Sequence, residues 1–250
     1  MLLKVFALIA FSIVKSEHCN DATTNITHVI FDFDGTLIDS DNLYVRAIDS
    51  VTNVYGKNFT WRDAQQLNVT DVRKSSETLV NFYNLPITPD EFYTRVMNIF
   101  NKLISNLPLM PGAEKLIKHF KANRITMAIC TSSDSKSFKQ KTQHLGNFFR
   151  VGNFFDVIVT AKDDPEVKRM KPYPDSYLVT MSRFNPPPNA TNVLSFEDTS
   201  DGMISATSAG TKCVLIKKPE LCYDLSVFKP TFIIQSLEDF DPRLFCLPPF

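Results

Sequence analysis

The sequence predicts an α/β protein: a parallel sheet covered by helices on both faces, with a small helical domain inserted after the first strand. Two observations predict it. From Thr27 onward, short apolar runs alternate with amphipathic stretches, the order that builds a parallel sheet. Residues 41–107 break this rhythm, carrying helical periods and no convincing strand.

The chain opens on a short positive start, Met1 to Lys4, followed by an apolar run from Val5 to Val14 interrupted only by Ser12. Val14 and Ser16 are the third-last and last residues before a cleavage point at Glu17. This is the pattern of a secretory signal peptide over residues 1–16, too short to span a bilayer comfortably. Glycosylation sequons follow at Asn25, Asn58, Asn68 and Asn189. The expectation is a protein secreted or held in the secretory-pathway lumen, with no membrane attachment after cleavage. If the apolar start is not a signal, the chain is cytoplasmic.

His28 to Asp34 reads as a buried first strand running into a turn at Gly35-Thr36. Within the insert, Tyr44, Ile48, Val51 and Tyr55 mark one apolar stripe. Thr88-Pro89-Asp90-Glu91 reads as a capping box that opens a helix with Phe92, Val96, Phe100 and Leu103 inward. Hinges fall near Ser40 and Met110. Four further strands are expected at 125–131, 155–160, 192–196 and 213–216, with helices at 111–121, 135–144, 174–184 and 201–209. The division is therefore a core of 17–40 and 108–250 and an insert of 41–107.

Composition narrows the function. Of 250 residues, 44% are apolar and 22% charged, ordinary for a globular chain with a real core. Lys+Arg and Asp+Glu balance at 27 each, which gives no field for nucleic acid or a polybasic membrane surface. An anionic ligand must be drawn by a local site. Cysteines are sparse for a disulfide scaffold. Cys130 and Cys213 lie in apolar runs and read as core thiols, while Cys222 and Cys246 are candidates for a pair.

Chemistry-bearing residues recur where strands end or helices begin. Asp32-Phe33-Asp34-Gly35-Thr36 closes the first strand, and ligands of open α/β sheets bind beyond such ends. Two adjacent carboxylates repel unless a cation or a shared proton intervenes; alone, the turn could equally be an Asx-turn. Thr131-Ser132-Ser133 closes the second strand with hydroxyl and N–H donors suited to phosphate. Lys171 precedes a helix, and Glu197-Asp198 closes the fourth strand with Gly202 following. Each has a bland reading as helix cap, solvated charge or helix-dipole partner; their joint occurrence in this order favours a site.

These motifs resemble those of the haloacid-dehalogenase-like hydrolase superfamily, from about Thr27 to the C-terminus. The insert after the first motif resembles the subclass with a small helical cap on a Rossmann-like core. Met110 to Leu116, Asp164 to Val167 and Leu237 to Phe240 look closest to its pseudouridine-5′-phosphatase branch. The resemblance implies a Mg²⁺-dependent phosphatase with Asp32 as nucleophile, forming an aspartyl-phosphate, and Asp34 as acid and base. It implies Thr131, Ser132 and Lys171 as phosphate-binding residues. It also implies Asp32, the Asp34 carbonyl and Asp198 as Mg²⁺ ligands, with Glu197 acting through a water. The implied substrate is a small phosphorylated metabolite, a nucleoside or sugar phosphate, and the implied state a monomer. A phosphomutase or phosphotransferase on the same core, or a secreted binding protein with little catalysis, are the rival readings.

The chain departs from the family at Leu67 to Asp71, where a Gly-containing loop is usual and a sequon stands instead. It departs again at Asp201, an added acid read as a first-turn helix residue.

Overall fold

The computed structural model describes residues 25–250, apart from 41, 68, 70, 220, 222 and 224. The signal segment, the Asn68 sequon and Cys222, and with it the proposed cysteine pair, lie outside the described residues. The chain divides into two compact units. One takes the residues up to Asp39 with Leu109–Phe138 and Leu145–Phe250; the other is Ser40–Pro108 with Lys139–His144.

The first unit is built on six parallel strands: β1 (His28–Phe31), β2 (Thr126–Thr131), β3 (Val157–Thr160), β4 (Val193–Glu197), β5 (Lys212–Ile216) and β6 (Phe232–Ile234). Their spatial order is β3-β2-β1-β4-β5-β6. β1, β2, β4 and β5 are buried almost throughout, as apolar runs covered on both faces must be. Successive strands step outward from β1 to β3, then return to the other side of β1 with β4. The reversal between β1 and β4 is the topological switch point, where such sheets open a crevice. Register places Phe31 opposite Phe196 on one side and Ile129 on the other. The Asp32 N–H then donates to the Phe196 carbonyl at 2.9 Å, which brings Asp32 alongside Glu197.

Alternation along the strands sorts two cores. Ile30, Ala128, Cys130 and Cys213 pack with Tyr177, Met181, Met203 and Ala206, which lie on helices Asp175–Ser182 and Ser200–Ser208. Phe31 faces the other way, 5.0 Å from the stacked ring of Phe196 and 6.2 Å from Phe120, a residue of helix Ala113–Ala122. Aromatic burial of this kind carries much of a core's apolar area.

The sequence reading missed β6. Three residues at a sheet edge give no readable period, and the strand exists through its pairing with Val214, Leu215 and Ile216.

The second unit is helical: α1 (Leu43–Thr52), α2 (Trp61–Gln66), α3 (Val72–Tyr83) and α4 (Pro89–Ile104). Ile48, Val51, Phe92 and Val96 are buried in its core, with Tyr55, Phe100 and Leu103 half-buried against them. Tyr44 is 47% exposed, and its ring stacks on Phe100 at 4.3 Å instead of entering the interior. Thr88 caps α4 by accepting from the Glu91 N–H at 3.2 Å. The Glu91 carboxylate, expected to return to Thr88, accepts from Arg95 at 2.7 Å; the charged guanidinium one turn on is a stronger donor than a backbone N–H. A reciprocal box forms instead at Thr60 and Asp63. His144 Nε2 meets the Leu107 carbonyl at 2.9 Å within this unit.

The remaining helices of the first unit are α5 (Ala113–Ala122), α6 (Ser135–Thr142, whose Lys139–Thr142 belong to the helical unit), α7 (Asp175–Ser182) and α8 (Ser200–Ser208). No helix among the described residues is long and apolar enough to cross a membrane.

Candidate active site

The crevice at the switch point is a cavity of about 390 Å³ lined by Asp32, Asp34, Ser132, Lys171, Asp198 and Asp201, with Leu221 and Tyr223 on its wall. Asp32 stands one residue past β1. Gly35, at φ 76°, lets the chain turn back at once, a conformation that costs glycine little. The Gly35 N–H closes the turn onto the Ile38 carbonyl at 2.9 Å. That turn also delivers Thr36, whose hydroxyl faces Asp198 Oδ1 at 3.4 Å.

Lys171 is the electrostatic centre. Its Nζ donates to Asp32 Oδ1 at 2.6 Å, Glu197 Oε1 at 2.6 Å and the Cys130 carbonyl at 3.0 Å. An ammonium has three protons, so all three are used. Burial alone would depress this lysine, but the carboxylates of Asp32 and Glu197 hold it well above the ordinary lysine range. Burial pushes Asp32 well above the usual carboxylate range, against the pull of Lys171, and the charges of Glu197 and Asp198 add to the rise. Across this contact the proton stays on Lys171, because two carboxylates and a carbonyl converge on Nζ while Asp32 faces one ammonium.

Asp34 is held separately. Its Oδ2 accepts from Ser133 Oγ at 2.8 Å and faces Thr131 Oγ1 at 3.4 Å. Thr131 Oγ1 in turn accepts from the Ser133 N–H at 3.0 Å. The Thr131 hydroxyl is thus directed at the Asp34 carboxylate. Thr131 and Glu197 are buried beneath the cavity floor. Asp201 is an exposed acid in the first turn of α8, and Thr199 caps that helix by accepting from the Gly202 N–H at 3.1 Å.

Three residues of this network escape a sequence reading. Tyr177 OH donates to Glu197 Oε1 at 2.5 Å; burial, then Glu197, push its hydroxyl well above the ordinary tyrosine range, so it remains a donor. Lys218 Nζ lies 2.6 Å from Asp198 Oδ2. Tyr223 OH donates to the Asp198 carbonyl at 2.7 Å and accepts from the Lys218 N–H at 3.0 Å. For Tyr177 no signal distinguishes a hydroxyl on an apolar helix face from ordinary core. For Lys218 there was one: it lies just past β5, another strand end facing the crevice.

The residues fit a hard divalent cation. One carboxylate oxygen each from Asp32, Glu197 and Asp198 lie within 4.8 Å of one another, an all-oxygen set of the kind magnesium takes. Among the described residues, Glu197 Oε2 is buried with no hydrogen-bond partner, a costly state that an ion or its water relieves. The Asp34 side chain stands outside the carboxylate trio.

The chain is similar to known proteins in sequence and in fold. The sequence model of the haloacid dehalogenase-like hydrolases matches residues 29–216. A Drosophila melanogaster protein named "Probable pseudouridine-5′-phosphatase" is 33% identical over 231 residues, covering 92% of this chain and 98% of its own. "(DL)-glycerol-3-phosphatase 2" of Arabidopsis thaliana is 32% identical, covering 90% of this chain and 93% of its own. Among solved structures, a hydrolase of the same superfamily from Deinococcus radiodurans, crystallised with phosphate and sodium, superposes with a TM-score of 0.71 at 19% identity. It covers 91% of this chain and all of its own, a likeness of fold.

Proposed function

Because the chain belongs to the haloacid dehalogenase-like hydrolase family, we propose that it is a Mg²⁺-dependent phosphatase that hydrolyses a small phosphate monoester through an aspartyl-phosphate on Asp32. Its enzyme class is phosphoric monoester hydrolase. The observation that carries the mechanism is the convergence of Asp32, Lys171, Glu197 and Asp198 within hydrogen-bond reach of one another or of a shared ion.

A carboxylate is a weak nucleophile, and a phosphate dianion repels it. Lys171, protonated and touching Asp32, cancels part of that repulsion and offers positive charge to the equatorial oxygens in transfer. A divalent cation would be held by Asp32, the Asp34 carbonyl and Asp198, with Glu197 acting through a water, and would supply the remaining charge neutralisation. Asp32 attacks phosphorus as the ester oxygen departs, and that oxygen takes the proton held on Asp34. Water then attacks the aspartyl-phosphate, gives its proton to Asp34, and frees phosphate and the Asp32 carboxylate. Ser133 and Thr131 aim Asp34 for both steps. Ser132, at the cavity wall, places its N–H for a phosphoryl oxygen.

The substrate class is a phosphorylated nucleoside, sugar or polyol. The relatives named for pseudouridine 5′-phosphate and glycerol 3-phosphate support it. The apolar N-terminal run supports passage through the secretory pathway, where the exposed Asn58 and Asn189 would be open to glycosylation; an endoglycosidase-sensitive mass shift tests that.

The test of function is release of inorganic phosphate from p-nitrophenyl phosphate and from a panel of nucleotides, sugar phosphates and polyol phosphates. Wild-type turnover should require Mg²⁺ and vanish in Asp32→Asn. Near-normal turnover by that variant removes the mechanism, and label retained in a second sugar phosphate instead of free phosphate makes the protein a phosphotransferase.

A further inference from the structure

Lys218 is tied to Asp198 from both ends. Its ammonium lies 2.6 Å from Asp198 Oδ2, with the two side chains 10% and 3% exposed. Its backbone N–H reaches the Tyr223 hydroxyl at 3.0 Å, and that hydroxyl donates to the Asp198 carbonyl at 2.7 Å. This is no loose surface lysine sampling a nearby acid; two anchors hold the charge on one carboxylate.

That carboxylate belongs to the trio able to hold the cation. A positive charge already on Asp198 lowers the negative potential that draws a second one, and like charges at this range in a partly desolvated site repel strongly. Without an ion, Lys218 sets a positive charge against the buried Asp198 carboxylate. With an ion, it becomes a rival for the same electrons. Lys171 also lies on two members of the trio, Asp32 and Glu197, but there the anionic substrate gains from its charge, whereas Lys218 is spent on Asp198 alone among the three.

We propose that Lys218 is a built-in competitor of the divalent cation, a positioning residue that weakens metal affinity by holding Asp198. The inference deepens the proposed function and rests on its metal site. Its consequence is a phosphatase that responds to the concentration of free divalent cation instead of carrying a permanently seated ion.

The test is direct metal binding by the full chain, with Mn²⁺ followed by electron paramagnetic resonance and Mg²⁺ by calorimetry, apart from any turnover. Lys218→Met should tighten Mn²⁺ binding about tenfold, one step of ~1.4 kcal/mol. Lys218→Arg, which keeps the charge, should bind as the wild type does. Lys218→Gln carries the same expectation as Lys218→Met in a polar side chain. A neutral variant that folds only when Mn²⁺ is added supports the inference; one that stays unfolded in saturating Mn²⁺ overturns it. Equal affinities for wild type and Lys218→Met overturn it while leaving the phosphatase reading intact. A wild-type chain that binds no Mn²⁺ and releases no phosphate removes that reading, and the inference with it.

Discussion

A methyl group placed on Gly202 would fall 1.8 Å from Glu197 Oε2 and 2.3 Å from Glu197 Cδ. Glycine four residues beyond Asp198 is therefore a requirement of close approach between α8 and the end of β4. The carboxylate cannot simply step aside: it is fully buried and held by Lys171 and Tyr177.

Gly202→Ala sets two effects against each other. In a helix, alanine is favoured over glycine by about 1 kcal/mol. Overpacking against a fixed group costs roughly 1–3 kcal/mol, and displacing Glu197 from its two donors adds to it. The variant should be less stable than wild type in chemical denaturation and should lose its thermal response to Mg²⁺. A stabilised variant would mean Glu197 moves freely, contrary to the buried network.

Tyr177→Phe removes one hydroxyl and little volume. Glu197 Oε1 then keeps only Lys171, and Oε2 already lacks a partner among the described residues. Depriving a buried acceptor of a donor costs roughly 1–3 kcal/mol. Because the hydroxyl stays protonated, its acidity held down by burial and by Glu197, the loss should be constant across neutral pH. Urea denaturation at two neutral pH values measures it; an unchanged midpoint would place the hydroxyl outside the network's energetics.

Much of this arrangement was legible in the sequence, for a physical reason. β1, β2, β4 and β5 are covered on both faces, so each reads as a continuous apolar run with a polar break where it leaves the sheet. Asp32, Thr131 and Glu197-Asp198 are those breaks, and Lys171 precedes a helix. What stayed hidden depends on tertiary approach. Tyr177 presents an apolar ring to the core and one oxygen to Glu197. Lys218 and Tyr223 reach Asp198 from a segment whose local pattern is that of a loop. β6 exists only through its neighbour, and the helix register of the insert yields its stripe but not which tyrosine stays outside.

Asp164 gives a prediction with a pH sign. Arg183 donates to its two oxygens at 2.5 and 2.8 Å and reaches Glu166 at 3.0 Å. The Arg183 hydrogen bonds hold the Asp164 carboxyl below its ordinary value, against a smaller effect of burial. A carboxyl depressed by folding contributes stability above its unfolded value, near ~3.9, and loses it as pH falls through the lower folded value. Asp164→Asn should cost about 1 kcal/mol at neutral pH, the scale of a forked pair at the protein surface with Arg183 partly exposed. The gap to wild type should close in acid. A gap that persists undiminished once both carboxyls are protonated would assign the loss to packing.

Lys171 separates charge from shape. Its Nζ serves three acceptors from one point, with the side chain 5% exposed. Lys171→Met leaves Asp32 and Glu197 facing each other without a cation, and breaking a buried pair in this way costs roughly 3–5 kcal/mol. Lys171→Arg keeps the charge, but a planar fork spreads its donors over several ångströms and needs room the site lacks. Both variants should lose phosphate release, and both should be less stable than wild type without metal. Added Mg²⁺ should recover more stability in Lys171→Met than in Lys171→Arg, because only the former leaves vacant the charge a cation replaces. Full stability and turnover in Lys171→Arg would show that charge alone suffices, and that the convergence of acceptors on a single nitrogen has no part in the chemistry.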